Sequence, residues 1–420
     1  MSSSGLDNHH TTSTPGDDTQ HEVTVDKVMA NVFFDGTLNN YFNVNASDAI
    51  KAKHGGEGTS YANGLSNVAR MWESLGREGD GPDIAVYVDG IGTVRHGDDA
   101  LTGMAFGDGD TGIEVRVDSA FAPLVEKVTA PRDGGKPPAI LELNVFGFSR
   151  GAAAARLFVH KVYAEKVACF GADWAKVIVQ VNFVGLFDTV SSEGIYYGND
   201  VGNLHLRIPA THAQRVVHLV AGDEFRENFS VTTIDSTVAA GRGYQLTLPG
   251  AHSDVGGGYT CDAGKPEPEV RELSPSLEPL DGAPHWGSRE FVYLKGWYSA
   301  ADAKPTFWHR NRHERVVHGD YYRVALSLMA TEAKKHTGAS YPAKLTGPCC
   351  EAPLEQVRQA LLAFAQSAQN TVWTLEANLG EQDARRFRRR YLHLSSQEGT
   401  LPNSPRFHDS HTLVREWVRA

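Results

Sequence analysis

Cysteine is scarce in this sequence, with four residues in a chain of 420: Cys169, Cys261, Cys349 and Cys350. Their spacing does not match a zinc site, and we do not expect the adjacent Cys349 and Cys350 to pair with each other. No disulfide framework is therefore implied, which fits folding in a reducing compartment.

Long apolar runs and an excess of positive charge are also missing. No segment approaches the ~18 consecutive apolar residues of a membrane span. Residues 1–21 are polar and lack the apolar core of a secretory signal. The formal net charge is −11, which argues against a general nucleic-acid binder. We therefore expect synthesis in the cytoplasm without a signal peptide, and no nucleic-acid partner, so that action elsewhere would need another export route.

Hydrophobic residues make up 41% of the chain, which is enough for a substantial core. Apolar strand-like segments alternate with segments of helical periodicity. This alternation predicts an α/β fold with a mainly parallel, doubly wound sheet, like that of α/β hydrolases, and helical additions at the C-terminus. The predicted strands are 27–34, 84–88, 140–146, 177–187, 215–221 and 243–248. The main predicted helices are 60–75, 113–128, 150–168, 321–335 and 353–379.

The predicted domain organisation has three parts. Residues 1–22 form a disordered tail, because the segment is rich in Ser, Thr, Asp and His. Residues 23–345 form the catalytic domain, with a Pro/Glu-rich insertion at 261–286 that could be a lid, a partner surface or an ordinary loop. Residues 346–420 form a helical, basic region that packs on or extends this domain, with an irregular stretch after residue 385.

The segment around Ser149 organises the chain. A short apolar strand leads into Gly147-Phe148-Ser149-Arg150-Gly151, and an Ala-rich helix follows. This is the G-x-S-x-G pattern of a nucleophile elbow, where glycines relieve clashes at a sharp turn from strand to helix. Ser149 would then stand at the helix N-terminus, where backbone N–H groups favour a developing negative charge. The alternative is a tight turn with an incidental serine.

A serine nucleophile needs a base and an acid that orients the base. In α/β hydrolases these follow in the order Ser, Asp or Glu, then His. Asp188 ends the strand after the elbow, and His252 follows a later strand, so both have the expected order and position. The alternatives are a turn role for Asp188 and His393 as the base.

The oxyanion hole needs two backbone N–H groups. Arg150, directly after the nucleophile, would supply one. The loop after the first strand would supply the other through Gly36, with Asp35 bracing the loop and Thr37 next to it. The loop at residues 89–93 is the alternative donor.

Four carboxylates follow strands and could instead hold Ca²⁺ or Mg²⁺. They are Asp35, Asp89, Asp188 and Asp254. No ligand spacing in the sequence favours such a site, so we expect no metal and no cofactor.

Five ordered segments resemble the catalytic domain of the type VI secretion lipase effectors. They are FFDGTLNN at 33–40, YVDGIGT at 87–93, GFSRGA at 147–152, GLFDTV at 185–190 and PGAHSDVGGGY at 249–259. The segment at 221–229 is similar to a further family segment, with Phe225 in place of an arginine.

The resemblance implies a phospholipase, A1 or A2, acting on membrane glycerophospholipids, with a Ser149, Asp188 and His252 triad. It further implies export by a contact-dependent secretion system into the target-cell periplasm, a spike or adaptor partner, and a cognate immunity protein. Two other functions stay open: an esterase acting on soluble or polymer esters, and a non-catalytic interaction or delivery module.

A basic run near the C-terminus has two interpretations. Five arginines lie at positions 385, 386, 388, 389 and 390. They could bind lipid phosphates, which suit the forked donors of arginine. They could equally form a solvated helix end, where the helix dipole favours positive charge.

Overall fold

The structure is a computed structural model that describes residues 26–76, 83–100, 109–191, 201–260, 266–273, 289–309, 311–348, 351–366, 373–396, 406 and 415–420. The predicted N-terminal tail at 1–22 lies outside the described residues, as does most of the insertion at 261–286. The part of the insertion that is described, residues 266–273, contains a strand.

A six-stranded sheet forms the centre of the fold. The strands of the described residues are β1 (Lys27–Phe34), β2 (Ile84–Val88), β3 (Ile140–Phe148), β4 (Ile178–Phe187), β5 (Arg215–Ala221), β6 (Val231–Thr232), β7 (Gly243–Leu248), β8 (Glu267–Glu272), β9 (Arg312–Val317) and β10 (Trp417–Val418). The central sheet has the order β2-β1-β3-β4-β5-β7. All its neighbouring strands are parallel, which confirms the predicted fold class.

Both faces of this sheet are buried, as expected when helices cover a parallel sheet on each side. Side chains alternate along β1, so that Phe33 and Phe34 enter hydrophobic clusters on opposite faces. On one face the ring of Phe33 stacks on Phe146 of β3 at 4.8 Å. The continuous apolar sequences of the central strands follow from this burial on two sides.

The helices cover the two faces. The α-helices of the described residues are Tyr41–Val44, Asp48–His54, Asn67–Ser74, Ile113–Thr129, Arg150–Ala164, Lys166–Phe170, Asp235–Ala239, His252–Gly256, Arg289–Lys295, Tyr322–His336, Ala343–Thr346, Ala352–Gln366, Leu375–Leu379 and Glu381–Tyr391. Arg150–Ala164 packs on one face through Ala152–Ala155 and Phe158. Tyr322–His336 packs on the other through Val324 and Met329. The sheet is therefore doubly wound.

The C-terminal helices differ from the prediction at two points. The expected single helix at 353–379 is wrong, because Thr374 caps a separate helix by accepting a hydrogen bond from the Ala377 amide at 3.2 Å. The expected irregular stretch after residue 385 is wrong for its first part, because Glu381–Tyr391 is helical. Gly380, with φ of 79°, separates these last two helices. A capping threonine and a left-handed glycine are local stop signals that the apolar periodicity does not reveal.

These helices share the core of the sheet. Leu354, Val357 and Phe387 belong to the same hydrophobic cluster as Phe33 and Phe146. The region after residue 346 therefore contributes to one face of the catalytic core, while the domain boundary at residue 345 stays a prediction. In the part of the chain that the structure describes, no helix has both the length and the apolar composition needed to span a membrane.

Candidate active site

Ser149 lies at the turn between β3 and the helix Arg150–Ala164. Its backbone has φ 58° and ψ −128°, a region that costs a non-glycine residue energy and commonly marks a functional position. The turn leaves no room for side chains at its flanking glycines. A Cβ on Gly147 would lie 2.4 Å from the backbone carbonyl oxygen of Gly151, and a Cβ on Gly151 would lie 2.2 Å from the backbone carbonyl oxygen of Asp35. This is the geometry that a nucleophile elbow requires.

The elbow is tied to the end of the neighbouring strand β4. The Ser149 backbone amide donates to the Phe187 carbonyl oxygen at 3.0 Å, and the Val190 backbone amide donates to the carbonyl oxygen of Ser149 at 3.3 Å. Asp188 lies between these two contacts, is fully buried and has a φ of 45°. Parallel strands end at the same edge of the sheet, so the acid at the end of β4 is brought beside the serine at the end of β3.

His252 begins a short helix just after β7 and is also buried. Its Nδ1 lies 2.6 Å from Asp188 Oδ2. The ring packs against Phe148 at 4.6 Å and Phe229 at 5.0 Å between centroids. Burial lowers the pKa of His252, and its hydrogen bond to the Asp188 carboxylate opposes this shift without cancelling it. The ring is therefore favoured in its neutral form, which can accept a proton.

The carboxylate of Asp188 carries charge in spite of its burial. Desolvation by itself would raise its pKa, but the charges of Arg415 and His252 and their hydrogen bonds lower it below the ordinary value. Arg415 was not among the site residues predicted from the sequence. Its guanidinium contacts both oxygens of Asp188, at 2.6 and 2.8 Å.

A second buried carboxylate braces the backbone of the histidine. Glu224 accepts a hydrogen bond from the His252 amide at 3.2 Å and is also bonded to Arg226 and Ser395. Burial would raise the pKa of Glu224, but the charge and hydrogen bonds of Arg226 lower it to about 2. Glu224 and Arg226 lie in the segment 221–229, whose resemblance to a family segment was the one signal for them in the sequence.

His393, the alternative base, has other partners. Its Nδ1 lies 2.7 Å from Asp254 Oδ1, and its Nε2 lies 3.1 Å from Glu267 Oε1. Tyr259 stacks on the ring at 3.6 Å between centroids. Asp254 also accepts a hydrogen bond from the Ala251 amide at 2.9 Å, which ties this group to the start of the His252 helix. His393 therefore contacts Asp254, and Asp254 supports the start of the helix that carries His252.

The loop after β1 lies directly against the elbow. Arg150 Nε donates to Thr37 Oγ1 at 2.7 Å. The loop is braced by Asp35, which accepts hydrogen bonds from the Tyr87 hydroxyl and from the Gly36 amide. Burial raises the pKa of Asp35 to about 6, although these hydrogen bonds act in the opposite direction.

One oxyanion prediction meets a conflict in this loop. The Gly36 N–H, predicted as a donor to the oxyanion, instead donates to Asp35 Oδ1 at 2.8 Å. Chain order predicts that the loop lies beside the elbow. It does not predict that the Asp35 side chain accepts a hydrogen bond from the next backbone amide. The alternative loop at 89–93 is hydrogen-bonded to this one, since the Gly90 amide donates to the Asn39 backbone carbonyl oxygen at 2.9 Å.

We expect Gly36→Val to reduce turnover by about 10²–10³-fold, the usual cost of losing an oxyanion donor. A Cβ at position 36 would lie 2.7 Å from Phe148 Cδ1 and 2.9 Å from Asn39 Oδ1. It would push both the loop and the phenylalanine that packs on His252. The check is kcat of the purified variant, with folding followed by circular dichroism.

Gly202→Val is the matched control, because no atom lies within 4 Å of its Cβ position. It should keep the wild-type rate. A folded Gly36→Val enzyme with the wild-type rate would instead direct attention to the loop at 89–93.

The four carboxylates considered for a metal do not converge. Asp188 pairs with Arg415 and His252, whereas Asp254 pairs with His393. Asp35 bonds to Tyr87, and Asp89 pairs with Arg95 at 3.1 Å. Among the described residues, no three His, Cys, Asp or Glu side chains form a group that could hold a metal ion.

The arginine run lies on the helix Glu381–Tyr391, where each member pairs with an acidic side chain. The pairs are Arg385–Glu381, Arg386–Asp383, Arg388–Glu376, Arg389–Asp302 and Arg390–Glu351. Two of the acids belong to the same helix and three to other parts of the fold. These ion pairs favour the helix-end interpretation over a dedicated lipid-phosphate anchor.

Comparison with known proteins now adds to this geometry. The family model described as "T6SS, Phospholipase effector Tle1-like, catalytic domain" matches residues 30–165 and 161–275. Together these matches cover more than half of the chain. The chain belongs to the Tle1-like phospholipase effector family of the type VI secretion system. It is therefore a phospholipase effector, and the family match accounts for the five ordered segments of the sequence.

A solved structure agrees with the fold of this effector. A Tle1 effector bound to the VgrG spike of the type VI secretion system superposes with a TM-score of 0.61 at 20% identity, covering 94% of each chain. An uncharacterized protein from Pseudomonas aeruginosa has a TM-score of 0.46 at 19% identity, covering 87% of this chain and 53% of its own. A comparison with curated proteins finds no match.

Proposed function

We propose that this effector is a serine hydrolase of phospholipase A type, which cleaves fatty-acyl esters of membrane glycerophospholipids. The observation that carries the proposal is the 2.6 Å contact between His252 Nδ1 and Asp188 Oδ2, at the strand edge where Ser149 occupies the strained elbow. An acid that holds one ring nitrogen leaves Nε2 to act as the base. The family match independently supports a lipid ester as the substrate.

The reaction follows from these roles. Ser149 Oγ attacks the acyl carbonyl while His252 Nε2 takes the hydroxyl proton, and Asp188 stabilises the imidazolium that forms. When the tetrahedral intermediate collapses, the ester C–O bond breaks and His252 returns the proton to the departing lysophospholipid oxygen. Water then attacks the acyl-enzyme by the same route and releases a free fatty acid.

The oxyanion is assigned to the amide of Arg150 and to the loop at residues 35–37. Arg150 begins the helix that follows the serine, so the helix dipole adds to its N–H donor. The Gly36 amide can serve as the second donor once its bond to Asp35 Oδ1 opens. While that bond is closed, we assign the second donor only to the loop, where Thr37 carries the neighbouring amide. We propose no metal or cofactor.

Delivery is proposed by analogy with the structurally similar Tle1 effector, which was solved bound to a VgrG spike. We expect this chain to be carried on a spike or adaptor protein into the periplasm of a target bacterium. There it would act on membrane phospholipid, and a producing cell would need a cognate immunity protein for protection.

The test combines active-site labelling with product analysis. A fluorophosphonate, which reacts with activated serines, should label the wild type at Ser149 and should not label Ser149→Ala. Vesicles of phosphatidylethanolamine and phosphatidylglycerol with different acyl chains at the two positions should yield one free fatty acid and a lysophospholipid. The identity of the released chain distinguishes A1 from A2 cleavage. Labelling elsewhere, or hydrolysis of soluble short-chain esters but not of vesicles, would contradict the proposal.

A further inference from the structure

Arg415 reaches the buried acid from a remote part of the chain. It is 227 residues from Asp188 in sequence, and its side chain is almost fully buried. Its Nη1 donates to Asp188 Oδ1 at 2.6 Å and its Nη2 donates to Oδ2 at 2.8 Å. This two-pronged contact is the strongest arrangement that arginine makes with a carboxylate, and it fixes orientation as well as position.

The contact leaves the carboxylate with a defined plane. Oδ1 also accepts a hydrogen bond from the Ala221 amide at 2.9 Å, and Oδ2 contacts His252 Nδ1 at 2.6 Å. Each oxygen thus receives one arm of the guanidinium and one further partner. Without Arg415 the carboxylate would keep one contact at each oxygen and could turn about its Cβ–Cγ bond.

The guanidinium is itself held in place. Nη1 donates to the Ala221 oxygen at 2.7 Å, while Nε and Nη2 donate to the Phe229 oxygen at 3.1 and 3.0 Å. Phe229 also packs on the ring of His252. Arg415 therefore contacts the carboxylate of Asp188, the last residue of β5 and the residue that packs on the His252 ring.

The segment that carries Arg415 is anchored next to the site. Its strand β10 pairs in parallel with β6. The Val231 amide donates to the backbone carbonyl oxygen of Glu416 at 2.9 Å, and the Thr233 amide donates to that of Val418 at 2.8 Å. From β6, the Thr232 amide donates to the Thr189 oxygen, next to Asp188. The fold thus delivers the arginine on backbone that is bonded to the segment bearing the acid.

We propose that Arg415 is a positioning residue that acts through Asp188, holding its carboxylate in the plane where Oδ2 meets the His252 ring. The inference rests on the proposed function, since it assumes that Asp188 and His252 form the catalytic pair. Arg415 makes no contact with His252 or Ser149 among the hydrogen bonds of the described residues, so it is assigned no direct chemical role.

The electrostatics give this role a pH signature. The charged groups that face His252 are Asp188, Glu224 and Arg226. Asp188 in turn faces Arg415, His252 and the buried ring of His218. With Arg415 removed, its positive charge no longer offsets the negative charge of Asp188 next to His252, so we expect the pKa of His252 to rise. Since the base must be neutral, the acidic limb of the pH–rate profile should move to higher pH.

The test compares three variants on a soluble short-chain ester, with kcat and KM measured across pH. Arg415→Gln should lower kcat about 10- to 100-fold, as expected for a misplaced catalytic group, with KM little changed and the acidic limb at higher pH. Arg415→Lys keeps one charge but loses the fork, so both effects should be smaller. Arg419→Gln, in the same segment but 90% exposed at its side chain, should match the wild type.

A folded Arg415→Gln enzyme with the wild-type kcat and pH profile would overturn the inference. So would a lower kcat with an unmoved acidic limb, because it would indicate a purely structural role. If Arg415→Gln does not fold, Arg415→Lys decides, and a wild-type profile in that variant overturns the inference. None of these outcomes affects the triad, which fails on a different result, namely full activity of Ser149→Ala.

Discussion

Replacing Ser149 by alanine is expected to leave a folded protein whose hydrolysis of phospholipid vesicles falls by about 10⁴- to 10⁶-fold. The substitution removes only Oγ, and the turn depends on Gly147 and Gly151 rather than on the hydroxyl. Triad members act as a unit, so loss of the nucleophile alone should remove nearly all of the catalysis. The measurement is fatty-acid release by purified protein, with thermal unfolding as the test of folding.

Ser191→Ala is a suitable control for this variant. Ser191 is buried near the site and accepts a hydrogen bond from Thr232 Oγ1 at 2.7 Å, but it has no proposed role in the chemistry. Its loss should reduce stability by roughly 1 kcal/mol and leave most of the activity. Vesicle hydrolysis at the normal rate by Ser149→Ala would exclude the proposed mechanism.

The second large effect is expected at the base. His252→Ala should reduce turnover about as much as Ser149→Ala, because the serine hydroxyl is a poor nucleophile without a proton acceptor. His393→Ala provides the contrast. Both ring nitrogens of His393 face carboxylates, Asp254 and Glu267, so neither is directed to the serine.

His393→Ala should therefore change kcat by only a few-fold, while the loss of a partner for the buried carboxylate of Asp254 and the partly buried carboxylate of Glu267 should lower the free energy of unfolding by about 1–3 kcal/mol. Comparing kcat with the unfolding midpoint separates the two effects. If His393→Ala is inactive and His252→Ala is active, the base has been assigned to the wrong histidine, and the C-terminal segment supplies it.

Local sequence patterns predicted the elements that carry the site. Strands buried on both faces read as continuous apolar runs, and the elbow needs small residues at fixed positions around Ser149. The ends of parallel strands share one edge of the sheet, so a strand order compatible with the fold brings Asp188 to the His252 loop. These features depend on backbone geometry over a few residues, which the sequence records directly.

The helix boundaries near the C-terminus were less predictable. The apolar spacing of residues 353–379 continues across the cap at Thr374, because periodicity reports a buried face and not the continuity of the backbone. The helix Glu381–Tyr391 was anticipated only as one interpretation of the arginine run, since arginines dominate its sequence. Its folding depends on burial of Phe387 and Tyr391 in a core supplied by distant segments.

The fold class, the elbow and the order of the three candidate catalytic residues could be predicted from the sequence, because each follows from local geometry and chain order. The pairing of distant groups, Arg415 with Asp188 and His393 with Asp254, is visible only in the folded structure. The tertiary structure also paired three members of the arginine run with acids from other parts of the fold. Such contacts depend on packing of segments that are far apart in sequence. The residues around a charged side chain do not indicate which partner it will contact in the folded protein.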